Sequence, residues 1–276
     1  MFTGVVIFVY KDIQEHIKKV GLYLMNDYIT ELLKDIDSKS KIVNELRPLN
    51  KIALAKIRDE LNNKIISNSL NIEGIHVTAR ETRLLLEGVQ INNCDPKDID
   101  ATINLGIATK MLEEDLTKKV SIEFINTIHL RVMSSLVSPE QCGMLRNNGV
   151  IIITESEHIP PHSSKVKPKL EEAINQYYSD YYKEHVLLRI FRLHHKITNI
   201  HPYFDGNGRV SRLVMYYLLL QNKFLPLVLR DKLRYYSVLE YSDLYYDNRR
   251  LYIYFLEELQ ETYNNYLNKI NLITEK

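Results

Sequence analysis

Two helical stripes separated by a short glycine-containing turn, between residues 184 and 222, constrain the fold more than any other feature of the chain. The first stripe has spacings of three and four residues, which is one helical face: Leu187, Ile190, His194, Ile197 and His201. The second has the same period: Val210, Leu213, Val214, Tyr217 and Leu218. Pro202 disfavours helical geometry at His201, so we expect the first helix to stop there, with the imidazole at the mouth of the turn.

The helical period continues along most of the chain and predicts an all-α fold. Helices are expected over residues 11–35, 50–72, 78–89, 96–116, 121–135, 164–182, 184–200, 208–222, 230–246 and 249–270. The exception is residues 143–161, where Asn148-Gly149 is a turn signal beside a β-branched run. That pattern predicts one small β-hairpin.

Residues 39–51 are the expected junction between an N-terminal helical segment, residues 1–50, and a main domain, residues 51–225. Residues 226–276 are expected to form C-terminal helices.

Composition excludes several classes of protein. With 45% hydrophobic residues and 9 Gly the chain is neither disordered nor collagen-like. A net charge of +1 does not indicate a basic surface for binding nucleic acid. Cys94 and Cys142 are far apart, which argues against a zinc site and suits a reducing compartment. The apolar residues 4–10 lack the flanks of a signal peptide and the length of a membrane span. We therefore expect a cytoplasmic protein with no nucleic-acid or membrane partner.

The turn itself has the composition of an anion site. The expected helix begins near Gly208, so its first backbone N–H groups lack partners and its dipole is positive there. Gly206 and Gly208 allow close approach of a phosphate. Arg209 and Arg212, one turn apart and expected on the side away from the core, offer guanidinium groups that match phosphate oxygens.

Two further residues of the turn suggest phosphoryl chemistry. Asp205 is a hard oxygen ligand beside the anion site, as a magnesium ion bridging phosphates would need. His201 has a near-neutral pKa and could take the proton of an attacking hydroxyl. Together they predict transfer at a phosphorus atom.

The string HPYFDGNGRVSR, residues 201–212, resembles the signature of the Fic family, His-Pro-Phe-x-Asp/Glu-Gly-Asn-Gly/Lys-Arg-x-x-Arg. A looser resemblance extends from about residue 60 to about residue 225. The resemblance implies a Fic-type helical bundle with one hairpin and transfer of AMP from ATP, with Mg²⁺, to a Ser, Thr or Tyr hydroxyl of a target protein. Tyr203 departs from the usual phenylalanine and is expected to supply the same packing ring.

Carried over by position, the resemblance makes His201 the base and Asp205 the magnesium ligand. It also makes Gly206, Asn207 and Gly208 the cradle of the phosphates. Arg209 and Arg212 would contact the outer phosphates.

The carboxylate of Glu73 is a candidate for regulating the expected phosphate site. Glu73 lies just before Gly74 at an expected helix C-terminus, where the helix end is already negative, so it invites a cationic partner. The string SLNIEG, residues 69–74, resembles the inhibitory Ser/Thr-x-x-x-Glu-Gly/Asn motif of Fic proteins with an N-terminal inhibitory helix, here about residues 64–73. The resemblance implies that Ser69, Glu73 and Gly74 form an inhibitory element. Glu73 would pair with Arg212 and occupy the space of the γ-phosphate.

The hairpin, about residues 143–161, corresponds to the Fic flap, which aligns an extended target segment by main-chain hydrogen bonds. The matching positions are Val150, Ile151, Ile152, Ile153 and Thr154.

Several other residues are interpreted as structural. His194 is expected in the core, and His158 and His162 in a stiff loop rather than a metal site. Tyrosine pairs at residues 216–217 and 245–246 are expected to pack between helices. Exposed tyrosines remain candidates for self-modification, and the N- and C-terminal helices for homodimer contacts.

Three functional hypotheses follow. The first is an autoinhibited protein adenylyltransferase. The second is a phosphodiesterase that removes AMP from a modified protein, with Glu73 positioning the water. The third is a nucleotide-sensing interaction module without catalysis, against which the intact His201 and Asp205 argue.

Overall fold

Ten α-helices account for most of the chain in the computed structural model, which describes residues 2–45, 51–92, 94–147, 158–179 and 183–274. In chain order they are α1 (Phe2–Glu45), α2 (Lys51–Ile72), α3 (Ala79–Leu86), α4 (Pro96–Glu114), α5 (Ile122–Val132), α6 (Ser163–Tyr178), α7 (Val186–Ile200), α8 (Asn207–Gln221), α9 (Lys232–Tyr245) and α10 (Arg249–Thr274). The described residues contain no strand, so the fold is all-α as predicted.

Helix α8 is the centre of the bundle. Every side chain from Arg209 to Leu220 is buried, and the helix packs against α2, α4, α5 and α7. A helix buried on all sides is apolar all round, which explains the run from Leu213 to Leu220. The turn at residues 201–206 therefore lies between two core helices, and the packing of α7 on α8 sets its geometry.

Local capping explains where several helices begin. Thr78 and Glu81 form a reciprocal capping box at α3. Asp95 caps α4, with Pro96 in its first turn, and the Ser121 side chain accepts the Phe124 N–H at the start of α5. These caps place the helix starts within one or two residues of the positions predicted from sequence.

The first expected helix, residues 11–35, was wrong in its bounds. Helix α1 extends from Phe2 to Glu45, well beyond the expected residues 11–35, and so covers much of the expected junction. Beyond residue 35 the helix is supported by distant segments: α1 packs against α10, Ile36 is buried, and the Ser40 hydroxyl donates to the carbonyl of Lys223, just after α8, at 2.9 Å. Residues 46–50 lie outside the described part of the chain.

The expected hairpin falls mostly outside the described residues. Residues 148–157 are not described, and these include Val150, Ile151, Ile152, Ile153 and Thr154. Residues 144–147 and 158–162, on either side, are neither helix nor strand.

Among the helices that the structure describes, none is long and apolar enough to cross a membrane.

We predict that Leu218→Ala lowers the free energy of unfolding by about 2–5 kcal/mol, because Leu218 is fully buried in α8 and its truncation leaves a cavity. The matched control is Leu233→Ala in α9, since Leu233 is 81% exposed and should change stability by less than about 0.5 kcal/mol. Urea denaturation followed by circular dichroism measures both. Equal losses for the two variants would contradict the central place of α8.

Candidate active site

The end of α7 presents His201 in an unusual backbone conformation. Its φ of 50° and ψ of 62° lie in the left-handed region, which is uncommon for a residue other than glycine. Arg146, only 3% exposed, holds this geometry: its Nε donates to the His201 carbonyl at 2.7 Å and its Nη2 to the Pro161 carbonyl at 2.5 Å. The Arg146 backbone N–H also donates to the Pro202 carbonyl at 2.9 Å. The predicted helix stop at His201 is therefore confirmed, and a buried arginine stabilises it.

The His201 imidazole is half-buried and has the properties of a base. Burial, together with the nearby charges of Arg146 and His158, lowers its pKa to about 4. The ring is therefore neutral near pH 7. Within the described residues its nitrogens make no side-chain hydrogen bond, so a lone pair remains to accept a proton.

The loop after His201 is closed by Asn207. Its Oδ1 accepts the Tyr203 N–H at 2.8 Å, and its Nδ2 donates to the Tyr203 carbonyl at 2.9 Å. Asn207 was expected to cradle phosphates together with the loop backbone. Its amide fixes the loop, so its side chain positions the backbone of the expected phosphate cradle.

The two glycines of the motif are required for different reasons. Gly206 has a φ of 75°, and a Cβ there would lie 2.4 Å from the Met133 sulfur. Gly208 is helical, but a Cβ there would lie 2.4 Å from Glu73 Oε1. Gly208 therefore lets the Glu73 carboxylate approach the N-terminus of α8, where unpaired N–H groups favour an anion.

Asp205 presents an oxygen ligand beside this helix end. Its side chain is 61% exposed, and a single oxygen, Oδ1, accepts both the Gly206 N–H at 2.5 Å and Arg209 Nη2 at 3.3 Å. The described residues contain no group of three or more His, Cys, Asp or Glu that could hold a metal. One exposed carboxylate suits Mg²⁺, which typically takes its other ligands from phosphates and water.

The two arginines of the motif are buried rather than directed away from the core, which corrects the expectation from sequence. Arg209 and Arg212 are each 6% exposed, because α8 is surrounded on all sides. The Arg209 Nε is buried and has no hydrogen-bond acceptor in the described part of the chain. A buried, unpaired donor at a helix N-terminus is a ready contact for a phosphate oxygen.

Arg212 makes the expected contact with α2. Its Nη2 lies 2.6 Å from Glu73 Oε1 and 3.0 Å from the Ser69 carbonyl, and its Nε donates to the Ser69 hydroxyl at 2.8 Å. Burial alone would raise the pKa of the Glu73 carboxyl, but the charge of Arg212, its hydrogen bond and the charge of Arg209 hold that pKa below its usual value. Conversely, the Glu73 carboxylate raises the pKa of Arg212 against the effect of burial.

The C-terminus of α2 is held by α8 and α9 together. Its last carbonyls all accept hydrogen bonds: Ser69 from Arg212, Leu70 from the Glu73 and Ile75 N–H groups, Asn71 from the Gly74 N–H, and Ile72 from the Tyr236 hydroxyl at 3.2 Å. Lys232 Nζ also lies 3.5 Å from the Asn71 carbonyl. Gly74 supplies the left-handed turn with a φ of 87°, so the helix end that carries Glu73 has no unsatisfied carbonyl.

One face of α5 lies under the motif loop, and the sequence analysis missed it. Tyr203 is fully buried, stacks on His129 with ring centroids 3.9 Å apart, and donates its hydroxyl to Asn126 Oδ1 at 2.8 Å. Met133 packs under Gly206. The spacing of three and four between Asn126, His129 and Met133 is a signal that could have revealed this face.

The histidines expected to be structural are so. His194 is 1% exposed and its Nε2 lies 3.0 Å from the Tyr235 hydroxyl. His162 caps α6, and the ring of His158 lies 2.8 Å from the Asn199 carbonyl.

The two tyrosine pairs differ. Tyr216 and Tyr217 are buried as expected, whereas Tyr245 and Tyr246 are 64% and 94% exposed, so the expectation of packing was wrong for this pair. They lie where α9 ends, with Tyr246 in a left-handed cap conformation.

Comparison with known proteins finds relatives in sequence and similar folds among solved structures. A model of the Fic/DOC family matches residues 119–219. The protein adenylyltransferase Fic of Drosophila willistoni is 29% identical over 221 residues, which cover 76% of this chain and 43% of that protein, and the figures for Drosophila melanogaster are the same. The chain thus spans less than half the length of these curated relatives.

Solved structures show the same fold. Fic-1 from C. elegans superposes with a TM-score of 0.79 at 20% identity, covering 92% of this chain and 75% of that one. A Fic family protein from Desulfovibrio desulfuricans G20 has a TM-score of 0.73 at 24% identity, covering 87% of this chain and 74% of that one.

We predict that Tyr203→Phe lowers the free energy of unfolding by about 1 kcal/mol, because the buried hydroxyl loses its bond to Asn126. Tyr245→Phe is the matched control, since Tyr245 is 64% exposed, and should be neutral. Urea denaturation compares the two. An unchanged midpoint for Tyr203→Phe would show that the hydroxyl does not stabilise the loop.

Proposed function

This chain belongs to the Fic family, and we propose that it is an autoinhibited adenylyltransferase that transfers AMP from ATP to a hydroxyl side chain of a target protein. The observation that carries the proposal is the position of the Glu73 carboxylate. It lies against Gly208 at the N-terminus of α8 and 2.6 Å from Arg212. An internal anion thus lies where the proposal places a phosphate of ATP.

His201 is the proposed base. It would take the proton of the target hydroxyl at a ring nitrogen while the hydroxyl oxygen forms a bond to the α-phosphorus. The bond between that phosphorus and the oxygen bridging to the β-phosphate breaks, and pyrophosphate leaves. Burial lowers the pKa of His201 to about 4, so the imidazole is unprotonated near pH 7, and the same shift makes it a weaker proton acceptor than a free imidazole.

The remaining groups of the motif would bind the triphosphate. The first N–H groups of α8 and the guanidinium of Arg209 would bind its anionic oxygens. Asp205 would hold Mg²⁺, which when bound would neutralise charge on the phosphates. These roles require positioning and electrostatics, the terms that dominate phosphoryl transfer.

Inhibition is the second part of the proposal. Glu73 Oε1 lies 2.6 Å from Arg212 Nη2, so an outer phosphate that contacts the same donor would compete with Glu73 for it. ATP would then bind in a non-productive arrangement while Glu73 remains in place. The hydrogen bonds that Arg212 donates to Ser69 and that Tyr236 donates to Ile72 hold the end of α2, and they support this resting state.

The names of the relatives agree with the reaction. The Drosophila proteins are protein adenylyltransferases, but this chain spans only 43% of their length, so its activity and target stay proposals. The target would present a Ser, Thr or Tyr hydroxyl in an extended segment.

We predict that, in the Glu73→Gly background, His201→Ala reduces AMP incorporation by at least about 100-fold, because the base is lost. The dissociation constant for Mg-ATP should stay within about threefold, because the ring is not a phosphate ligand. Labelled ATP with the protein and an added cell lysate measures incorporation, and calorimetry measures binding.

The control for this variant is His76→Ala, which removes an exposed histidine near the end of α2. It should leave both quantities unchanged. A loss of nucleotide binding in His201→Ala that matches the loss of transfer would argue against a role as base.

We also predict that Tyr236→Phe raises self-incorporation of AMP about fivefold in the otherwise unmodified chain, because losing one hydrogen bond to the Ile72 carbonyl costs about 1 kcal/mol of the inhibited state. The same change should have no effect in the Glu73→Gly background. Intact mass spectrometry over time gives both rates.

Tyr245→Phe, an exposed tyrosine on the same helix, is the control and should not raise incorporation. An equal rise in both backgrounds would show that Tyr236 acts on something other than Glu73.

A further inference from the structure

His129 lies at the meeting point of three parts of the site. It is 1% exposed on α5, and its ring stacks on that of Tyr203 at an interplanar angle of 18°. Its Nε2 lies 3.1 Å from the Asp205 carbonyl oxygen, and its Nδ1 lies 2.8 Å from the Gly143 nitrogen. Both ring nitrogens thus contact backbone groups of segments far away in sequence.

These two backbone partners determine the state of the ring. A carbonyl oxygen only accepts, so Nε2 must carry the proton, and the Gly143 N–H only donates, so Nδ1 must be unprotonated. The ring is therefore neutral and in a single tautomer. Any other tautomer would place two donors or two acceptors against each other.

The contact between His129 Nε2 and the Asp205 carbonyl affects the geometry of the anion site. It fixes the carbonyl of the residue whose carboxylate is the proposed oxygen ligand, one residue before the left-handed Gly206. The carboxylate itself is exposed, and its Oδ1 is held by the Gly206 N–H at 2.5 Å and by Arg209 Nη2 at 3.3 Å, so its position follows that of the loop backbone and the start of α8.

The contact between the Gly143 N–H and His129 Nδ1 affects the position of the proposed base, His201. Gly143 has a φ of 75° and little space for a side chain, with the Asn126 carbonyl 3.2 Å from an ideal Cβ. Three residues later, Arg146 donates to the carbonyl of His201. The course of the chain between these two residues therefore connects the His129 ring to the proposed base.

We propose that His129 is a positioning residue that holds the Asp205 loop and the segment starting at Gly143 in one register. It touches no reacting atom. Its role is to keep the proposed oxygen ligand and the proposed base at a fixed separation. This inference rests on the proposed function, because the reaction that His129 would support is the proposed AMP transfer. The binding experiment below does not require that transfer to occur.

A buried histidine that only stabilises the fold would behave differently from a positioning residue. In a purely structural role, every substitution would lower stability, and nucleotide binding would fall in proportion. In a positioning role, binding would depend on which ring nitrogen is replaced.

Two amides separate these cases. The amide of Asn lies as far from Cβ as Nδ1 does, and the amide of Gln lies as far as Nε2. His129→Gln therefore keeps a donor for the Asp205 carbonyl, while His129→Asn keeps an acceptor only for the Gly143 N–H. Both lose the ring stack on Tyr203, so their losses of stability should be similar.

The experiment measures Mg-ATP binding by calorimetry and the urea midpoint for both variants in the Glu73→Gly background. We expect His129→Gln to bind Mg-ATP within about threefold of its parent and His129→Asn to bind it about tenfold more weakly. A factor of about ten is what the loss of one buried hydrogen bond typically costs. Similar binding by the two variants, or weakening that follows the urea midpoint, would overturn the proposal.

The failure of this inference and that of the proposed function give different results. If Glu73→Gly transfers no AMP but the two variants differ in binding as expected, the transfer proposal fails and the positioning role stands. If Glu73→Gly transfers AMP and the two variants bind alike, the positioning role fails alone.

Discussion

A buried positive charge on Arg212 is the constraint on which the rest of the site depends. The guanidinium lies in the core helix α8, only 6% exposed, and a charge in such a place needs an anionic partner. In the resting chain that partner is Glu73, delivered by α2 at 2.6 Å. A nucleotide phosphate would meet the same need, so in the proposed mechanism Glu73 and the substrate compete for one cation. This competition would give the proposed regulation its physical basis, and the end of α2 is held from α8 and α9.

The loop between α7 and α8 is stabilised from three sides. Arg146 holds the carbonyl of His201, the Asn207 amide closes the loop on Tyr203, and His129 on α5 holds the Asp205 carbonyl. Each contact is from a buried side chain to the backbone. The backbone is therefore fixed before any ligand binds, which is the preorganisation that electrostatic catalysis requires. The exposed groups of the loop are then free to act on a ligand.

Local sequence patterns predicted those features of the structure that depend on residues close together in the chain. Pro202 indicated where α7 ends, and the position of Glu73 at a helix C-terminus indicated a cationic partner. The burial of Arg209 and Arg212 could not be read from periodicity, because a helix surrounded on all sides has no polar face to set its orientation. The extension of α1 and the role of His129 depend on contacts with distant segments, which a local pattern does not contain. The hydrogen bond between the Tyr203 hydroxyl and Asn126 was not predictable for the same reason, because the two residues are far apart in the sequence.

The most direct test of this account is the incorporation of AMP from labelled ATP, with Mg²⁺ and a cell lysate supplying acceptors, by the wild-type chain and by Glu73→Gly. Replacing Glu73 frees Arg212 for a phosphate, so the account predicts that Glu73→Gly labels itself or a lysate protein at least about tenfold faster than wild type. Intact mass of the purified chain then identifies any self-modification as the addition of AMP. Equal rates in the two proteins would contradict the inhibitory role of Glu73, and no incorporation by either would contradict AMP transfer itself.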